Sequence, residues 1–314
     1  MSNTSKPRIV VIVGATATGK TLLSVELAQA FDGEIVNGDS RLFYKGMDVA
    51  TAKPTSDEMH GVPHHLIDFL EPDDEFSLAG YLMQARSAIE EITGRGKLPI
   101  IVGGSGQYIW ALVEGWEVPE IEPDFELRTK LEHMLAKEGV EALAGELREI
   151  APETAADTDL LNPRRIIRAI ERVLSKRSPD SSQTKADESP FDAHIVGLSA
   201  ERSVLHERVT DRLEHMLRNG WQQEVRSLLD TGYSINNRAM SGIGYRQMIG
   251  HINGEYDLDE GVRLTAVATN RLIRQQNNWF KQNDSRINWF DMTHDAESTT
   301  KDVIEITSTW VQGT

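Results

Sequence analysis

Residues 14 to 21 read Gly-Ala-Thr-Ala-Thr-Gly-Lys-Thr, which satisfies G-x-x-x-x-G-K-[S/T]. A loop of this composition suits a phosphate-bearing ligand. Its glycines let backbone N–H groups turn inward, a following helix N-terminus adds positive potential, and the lysine reaches the terminal phosphate. Gly14, Ala15, Thr16, Ala17, Thr18, Gly19, Lys20 and Thr21 are therefore candidate phosphate-binding residues, with the Thr21 hydroxyl a candidate ligand for Mg²⁺. A hydrolytic enzyme built on such a loop also wants an apolar strand ending in Asp to hold the metal. The best strand for that role, Leu-Pro-Ile-Ile-Val at 98–102, runs into Gly103-Gly104-Ser105, where no carboxylate stands. The carboxylate appears elsewhere, as Asp39 after "GEIVNG". There it could act as general base on an acceptor facing the phosphates, or could cap a turn with Ser40.

These groups need elements to bring them together. Residues 8–13 are mostly β-branched and apolar and predict a buried strand, and 20–31 predict a helix with Leu22, Leu23, Leu27 and Phe31 near helical spacing. Further strands are expected at "GEIVNG", "LPIIVGG", "AHIVGL" (193–198) and "INWF", with a helix over 76–95 and long helices from about 200 to 280. Alternating strands and helices predict a mainly parallel sheet covered on both faces, and Asp39 would then sit at its carboxyl edge beside the phosphate loop. Between 119 and 178 the pattern is helical only, and "SKRSPDSSQTKADESP" (175–190) has the composition of a mobile loop. The expected organisation is an α/β core in two parts, 1–118 and 191–314, interrupted by an all-helical insert with its loop over 119–190.

Charge is distributed unevenly. The formal net charge of −16 argues on its own against a polyanionic partner. Yet 162–177 carries six basic residues against Glu171, and Arg164, Arg168, Arg172 and Lys176 recur every four positions, a basic stripe on one helix face that could meet nucleic acid. Cysteine is absent, which excludes disulfides, thiolate nucleophiles and cysteine-based zinc sites. No apolar run approaches membrane-spanning length and 1–7 lack a secretory core, so a cytosolic protein is expected. His64, His65 and Asp68 in "PHHLID" cluster in sequence, but adjacent histidines do not share a face, and a zinc site is not expected there.

"GATATGKT", "DSRLFYKGMDVATAKP", "PHHLID", "GGSGQY", "NPRRIIRAIE", "RVTDRLEHML" and "GIGYRQM" appear in this order across nearly the whole chain. In this the chain resembles the tRNA dimethylallyltransferases, also called tRNA isopentenyltransferases. The resemblance implies a P-loop kinase-like α/β fold and transfer of a dimethylallyl group from dimethylallyl diphosphate to the exocyclic amine of the adenosine 3′ of the anticodon. The phosphate loop would then hold the diphosphate of the prenyl donor rather than a nucleoside triphosphate, which accounts for the missing strand-end carboxylate. By the same resemblance Asp39 is the base, Thr16 a donor contact, and Lys20 and Arg212 stabilise the leaving group with Mg²⁺ at Thr21. Asp39, Ser40, Arg41, Leu42, Ser105, Arg128, Arg164, Arg165, Arg168, Ser241, Gly242, Ile243, Gly244, Tyr245 and Arg246 would face the tRNA anticodon stem-loop. A monomer is expected.

The chain departs from the family pattern at several places. Ala15 replaces a common Pro, Ser105 a common Thr and Leu42 a frequent Gln, while Asn270 and Gln275 stand where arginines are typical, which removes two positive charges from that helix. Two other readings compete. One keeps the donor and prenylates free AMP, ADP or ATP; the other is a P-loop small-molecule kinase or NTPase.

Overall fold

The structure is a computed structural model that describes residues 6–118, 124–174 and 184–313. It divides into two compact units, Met1–Trp116 together with Lys185–Thr314, and Glu117–Thr184.

The first unit opens with β1 (Arg8–Gly14), whose Ile9, Val10, Val11, Ile12 and Val13 are all fully buried, as a strand covered on both faces requires. The phosphate loop follows and leads into α1 (Lys20–Ala30). Next come β2 (Gly33–Asn37), the two-residue β3 (His64–His65), α2 (Leu78–Gly94), β4 (Leu98–Val102) and α3 (Gly106–Val113). α2 starts later than its composition suggested, because Ser77 caps it by accepting the Gly80 N–H at 3.0 Å.

The second unit contributes α4 (Phe125–Glu138), α5 (Val140–Ile150), α6 (Pro152–Ala156) and α7 (Pro163–Leu174). The chain then returns to the first unit with β5 (Asp192–Ser199), α8 (Arg202–Arg218), α9 (Trp221–Asp230), α10 (Tyr245–Ile252), α11 (Leu258–Trp279), β6 (Ile287–Asp291) and α12 (Ala296–Gln312).

All six strands are parallel, in the order β3-β2-β4-β1-β5-β6. β1 is central: Val10 pairs with Ile100 on one side and His194 on the other. Val10 and Ile12 of β1, Leu23 and Leu27 of α1, Ile100 of β4, Val196 and Leu198 of β5 and Val303 of α12 form one continuous core, each side chain worth about 1.5–3 kcal/mol on burial. Because every strand points the same way, the phosphate loop, Asp39 and Gly103–Ser105 all leave the sheet at its carboxyl edge.

Two glycines allow close approach there. A Cβ on Gly14 would lie 2.3 Å from the Leu198 carbonyl oxygen, and one on Gly103 would lie 2.3 Å from the Gly38 backbone. β2 ends at Asn37, two residues before Asp39, so the carboxylate stands on a turn just past the strand.

Apart from the bridge between Glu117 and Thr184, the regular elements described in the second unit are helices, with a core of Leu131, Leu143, Leu147, Ile166, Ile167 and Ile170. Asp124 caps α4 by accepting the Leu127 N–H at 2.9 Å. Of the stretch read as a mobile loop, 175–183 lie outside the described residues, and so does Lys176. The remainder is tied down: Thr184 pairs with Glu117, Lys185 meets Glu114 at 3.0 Å, and the Ser189 hydroxyl bonds the Val113 and Phe191 carbonyls. Among the described residues no helix is long and apolar enough to cross a membrane.

Candidate active site

The phosphate loop turns through three positive φ values, at Gly14 (140°), Ala17 (69°) and Gly19 (92°). Ala17 has no glycine's freedom and is held from outside, its carbonyl accepting from Arg208 of α8 at 3.3 Å while the same guanidinium donates to the Met292 carbonyl at 2.7 Å. Thr18 is fully buried and donates to the Ala15 carbonyl at 2.8 Å. Its hydroxyl shapes the loop and does not face a ligand. Thr16 is half-buried, and Thr21 is exposed at the first turn of α1.

Lys20 folds back over the loop, donating to the Gly14 carbonyl at 3.0 Å and the Ala15 carbonyl at 2.7 Å. Removal of its ammonium from water lowers its pKa to about 8; the Asp39 carboxylate opposes the fall and the Arg212 guanidinium adds to it. Burial also depresses Arg212, again opposed by Asp39. Lys20, Arg212 and Asp39 thus act on one another across the mouth of the loop, although they come from α1, α8 and the turn after β2. Arg212 reaches that point by donating to the Thr51 carbonyl at 2.9 Å.

Asp39 is fixed by its neighbours. Asn37 accepts the Asp39 N–H at 2.9 Å and donates to the Asp39 and Leu66 carbonyls, while Oδ1 of Asp39 accepts the Arg41 N–H at 3.0 Å. This is the local turn that the Asp-Ser pair suggested, yet it leaves the carboxylate half-buried beside two cations. The Ser105 hydroxyl accepts the Ser40 N–H at 3.3 Å, joining the end of β4 to the same turn.

"PHHLID" supports this turn. His65 meets the buried Glu34 carboxylate at 2.7 Å, His64 Nδ1 lies 2.8 Å from the Val62 carbonyl, and Asp68 pairs with Lys53. Lys53, only 7% exposed, also donates to Asp48 at 2.6 Å and the Tyr44 carbonyl at 2.7 Å. That cross-brace holds 44–53 against 66–68.

The segment 241–246 is divided in its roles. Arg246 is exposed and the Ser241 hydroxyl donates to the Arg238 carbonyl at 2.8 Å. Gly242 and Gly244 are buried, and Ile243 is half-buried. Tyr245 lies inside the protein at 1% exposure, its hydroxyl donating to Glu224 at 2.5 Å. Glu224 also accepts the Asp48, Val49 and Ala50 N–H groups. Tyr245 therefore offers no side chain to a partner; it secures the loop that carries Thr51 and hence Arg212.

In the second unit α7 turns Ile166, Ile167, Ala169 and Ile170 inward and leaves Arg164, Arg165 and Arg172 exposed. Glu171, 3% exposed, faces inward as well and accepts from Arg128 at 2.9 Å and Arg168 at 3.4 Å. The basic stripe is thus less free than its spacing suggested, because Arg128 and Arg168 neutralise a buried carboxylate.

Comparison with known proteins identifies the family. The model of the IPP transferase family matches residues 42–283, and that of isopentenyl transferase matches 7–70. A tRNA dimethylallyltransferase of Oceanobacillus iheyensis is 39% identical over 91% of this chain and 92% of its own. The chain belongs to the tRNA dimethylallyltransferase family. Another tRNA dimethylallyltransferase, from Roseiflexus castenholzii, is 43% identical over 87% of this chain and 90% of its own. The crystal structure of a tRNA isopentenylpyrophosphate transferase of Bacillus halodurans superposes with a TM-score of 0.72 at 36% identity, covering 96% of each chain.

Several supports of this dimethylallyltransferase site were invisible in sequence. Glu224 and Gln276 touch the site's loops through contacts between residues far apart in the chain, while Arg208 and Lys53 lie within "RVTDRLEHML" and "DSRLFYKGMDVATAKP" but their bracing contacts could not be read from those motifs. Of the two departures on α11, Asn270 is half-buried with its Oδ1 unbonded among the described residues, and Gln275 is exposed beside the exposed Arg271 and Arg274.

Proposed function

We propose that this protein transfers the dimethylallyl group of dimethylallyl diphosphate to the exocyclic N6 amine of the adenosine 3′ of a tRNA anticodon, releasing diphosphate. The observation that carries the reading is the electrostatic influence of Asp39 on Lys20 and Arg212 beside a phosphate loop whose neighbouring strand end, Gly103–Ser105, holds no carboxylate.

The allylic C–O bond breaks and its electron pair leaves on the diphosphate. The loop amides, Lys20 and Arg212 would stabilise that charge, with Lys20 exchanging the Gly14 and Ala15 carbonyls for phosphate oxygens. The amine nitrogen attacks the prenyl carbon and its proton passes to Asp39. An aromatic amine is a weak nucleophile, so the turn that fixes Asp39 contributes through orientation as well as basicity.

The base has to leave its stack to reach this site. Ser40, Arg41, Leu42, Ser105 and Arg246 would receive it on the first unit. Arg164 and Arg165 are offered to the stem-loop by the second.

Mg²⁺ fits the donor set only as a companion of the diphosphate. The Thr21 hydroxyl is exposed, and no group of three or more acidic, His or Cys side chains suited to a metal occurs among the described residues. A hard cation with few protein ligands is completed by phosphate oxygens and water. When bound it would neutralise part of the leaving group's charge. The reaction is assigned to the cytosol.

The test is transfer of labelled dimethylallyl to an anticodon stem-loop, run beside AMP and followed by mass spectrometry at base resolution. Modification of the adenosine 3′ of the anticodon is expected. Preference for AMP, or phosphate release from ATP without prenyl transfer, would overturn the assignment.

A further inference from the structure

Gln276 lies on α11, 260 residues from the phosphate loop it touches, and is only 3% exposed. Its Oε1 accepts the Thr16 N–H at 2.8 Å and its Nε2 donates to the Gly104 carbonyl at 3.2 Å. The fit is tight on the Gly104 side, where an added Cβ would fall 2.2 Å from Nε2. Thr16 belongs to the loop that would hold the leaving group. Gly104 precedes Ser105, whose hydroxyl holds the Ser40 N–H next to Asp39. One amide side chain therefore spans the two halves of the reaction, with an acceptor end on the donor loop and a donor end on the acceptor turn.

We infer that Gln276 is a positioning residue that sets the distance between the diphosphate loop and the Asp39 turn. The inference rests on the function proposed above. It has two physical consequences. The Thr16 N–H is occupied within the protein, so Thr16 contributes to the donor through its hydroxyl rather than its amide. And because bond formation demands reacting atoms about 3–3.5 Å apart, a slack of about 1 Å between the two loops costs about 100-fold in rate without removing any group that touches substrate.

Only an amide satisfies both ends. Methionine matches its length but bonds neither partner. Glutamate can still accept the Thr16 N–H, but donates to the Gly104 carbonyl only when protonated.

The experiment compares wild type with Gln276→Met and Gln276→Glu. For Gln276→Met, kcat is expected to fall about 10- to 100-fold while KM for dimethylallyl diphosphate and for the stem-loop changes less than about threefold. For Gln276→Glu, the ratio of its kcat to that of wild type is expected to rise as pH falls and the carboxyl regains a proton. A group that only stabilised the fold would not produce that dependence.

Hydrogen exchange tests the strut without turnover. Adding inorganic diphosphate should slow exchange at both 14–21 and 103–106 in wild type, but only at 14–21 in Gln276→Met. Unchanged kcat in Gln276→Met, equal losses in kcat and diphosphate binding, or a pH-independent ratio would overturn the inference. If wild type fails to transfer a prenyl group, the proposed function falls, and exchange at 103–106 alone then decides whether Gln276 couples the loops.

Discussion

The two units each gather positive charge, but they hold it differently. In the first, Lys20 and Arg212 are drawn away from water until burial depresses both, and Asp39 is the carboxylate that pulls them back. In the second, Arg164 and Arg165 stand exposed on α7, Arg165 within 3.7 Å of Asp159, while Arg128 and Arg168 turn to the buried Glu171. Charge held out of water acts strongly over a short range and suits bond breaking. Charge left in water acts weakly and through salt-screened attraction, which suits holding a long polyanion.

This contrast is most exposed to attack at Asp39. Asp39→Ala is expected to lower kcat about 100- to 10,000-fold while leaving binding of inorganic diphosphate within a fewfold of wild type. Steady-state transfer and calorimetry check the two halves, and a parallel loss of both would mean that Asp39 serves the loop rather than the acceptor.

Next in size is Glu171→Ala, which leaves Arg128 and Arg168 without their buried partner. It should destabilise the second unit by about 2 kcal/mol, seen as earlier exchange or proteolysis within 124–174, with the phosphate loop unaffected.

The pH dependence of donor binding is a smaller effect with a definite sign. Lys20 in the empty site has a pKa near 8, below its ordinary value, so it is charged below pH 8 and neutral above. Diphosphate favours the ammonium. Affinity should therefore be greatest below pH 8 and decline above it, with proton uptake on binding at pH 8.5, measurable by calorimetry in buffers of different ionisation enthalpy. Lys20→Arg should abolish the uptake. The smallest change is expected at the surface: Arg164→Gln should weaken stem-loop binding a fewfold and reduce its salt slope by about one, with kcat unchanged.

What could be read from the sequence was what is local. Strand, loop and helix over 8–30 follow from contiguous β-branched residues, glycines and a helical repeat, and Asp39 follows from its place after β2. The limits appear where partners are distant. Arg168 looked free because Glu171, on the same helix, could not be known to face inward with Arg128 brought over it from α4. Gln276 falls in the α11 segment that resembles the family's, but its partners 260 and 172 residues away could not be read from it. α12 went unnoticed because the residues it buries, Thr300, Val303 and Thr307, are small and mostly polar and give little apolar rhythm. "PHHLID" was not expected to bind zinc, but its actual partners were out of reach of sequence: Asp68 pairs with Lys53 and His65 with Glu34.

The contact between Gly38 and Gly103 has a consequence for how this protein can vary. The two backbones approach so closely that no side chain of any kind fits at 103, whereas a Cβ on Gly94, Gly139 or Gly145 would meet nothing within 4 Å. A saturation library selected for prenyl transfer should thus recover glycine alone at 103 and tolerate alanine at 94 and 145. The catalytic edge of the sheet would then be the least evolvable part of a chain whose helices remain open to change.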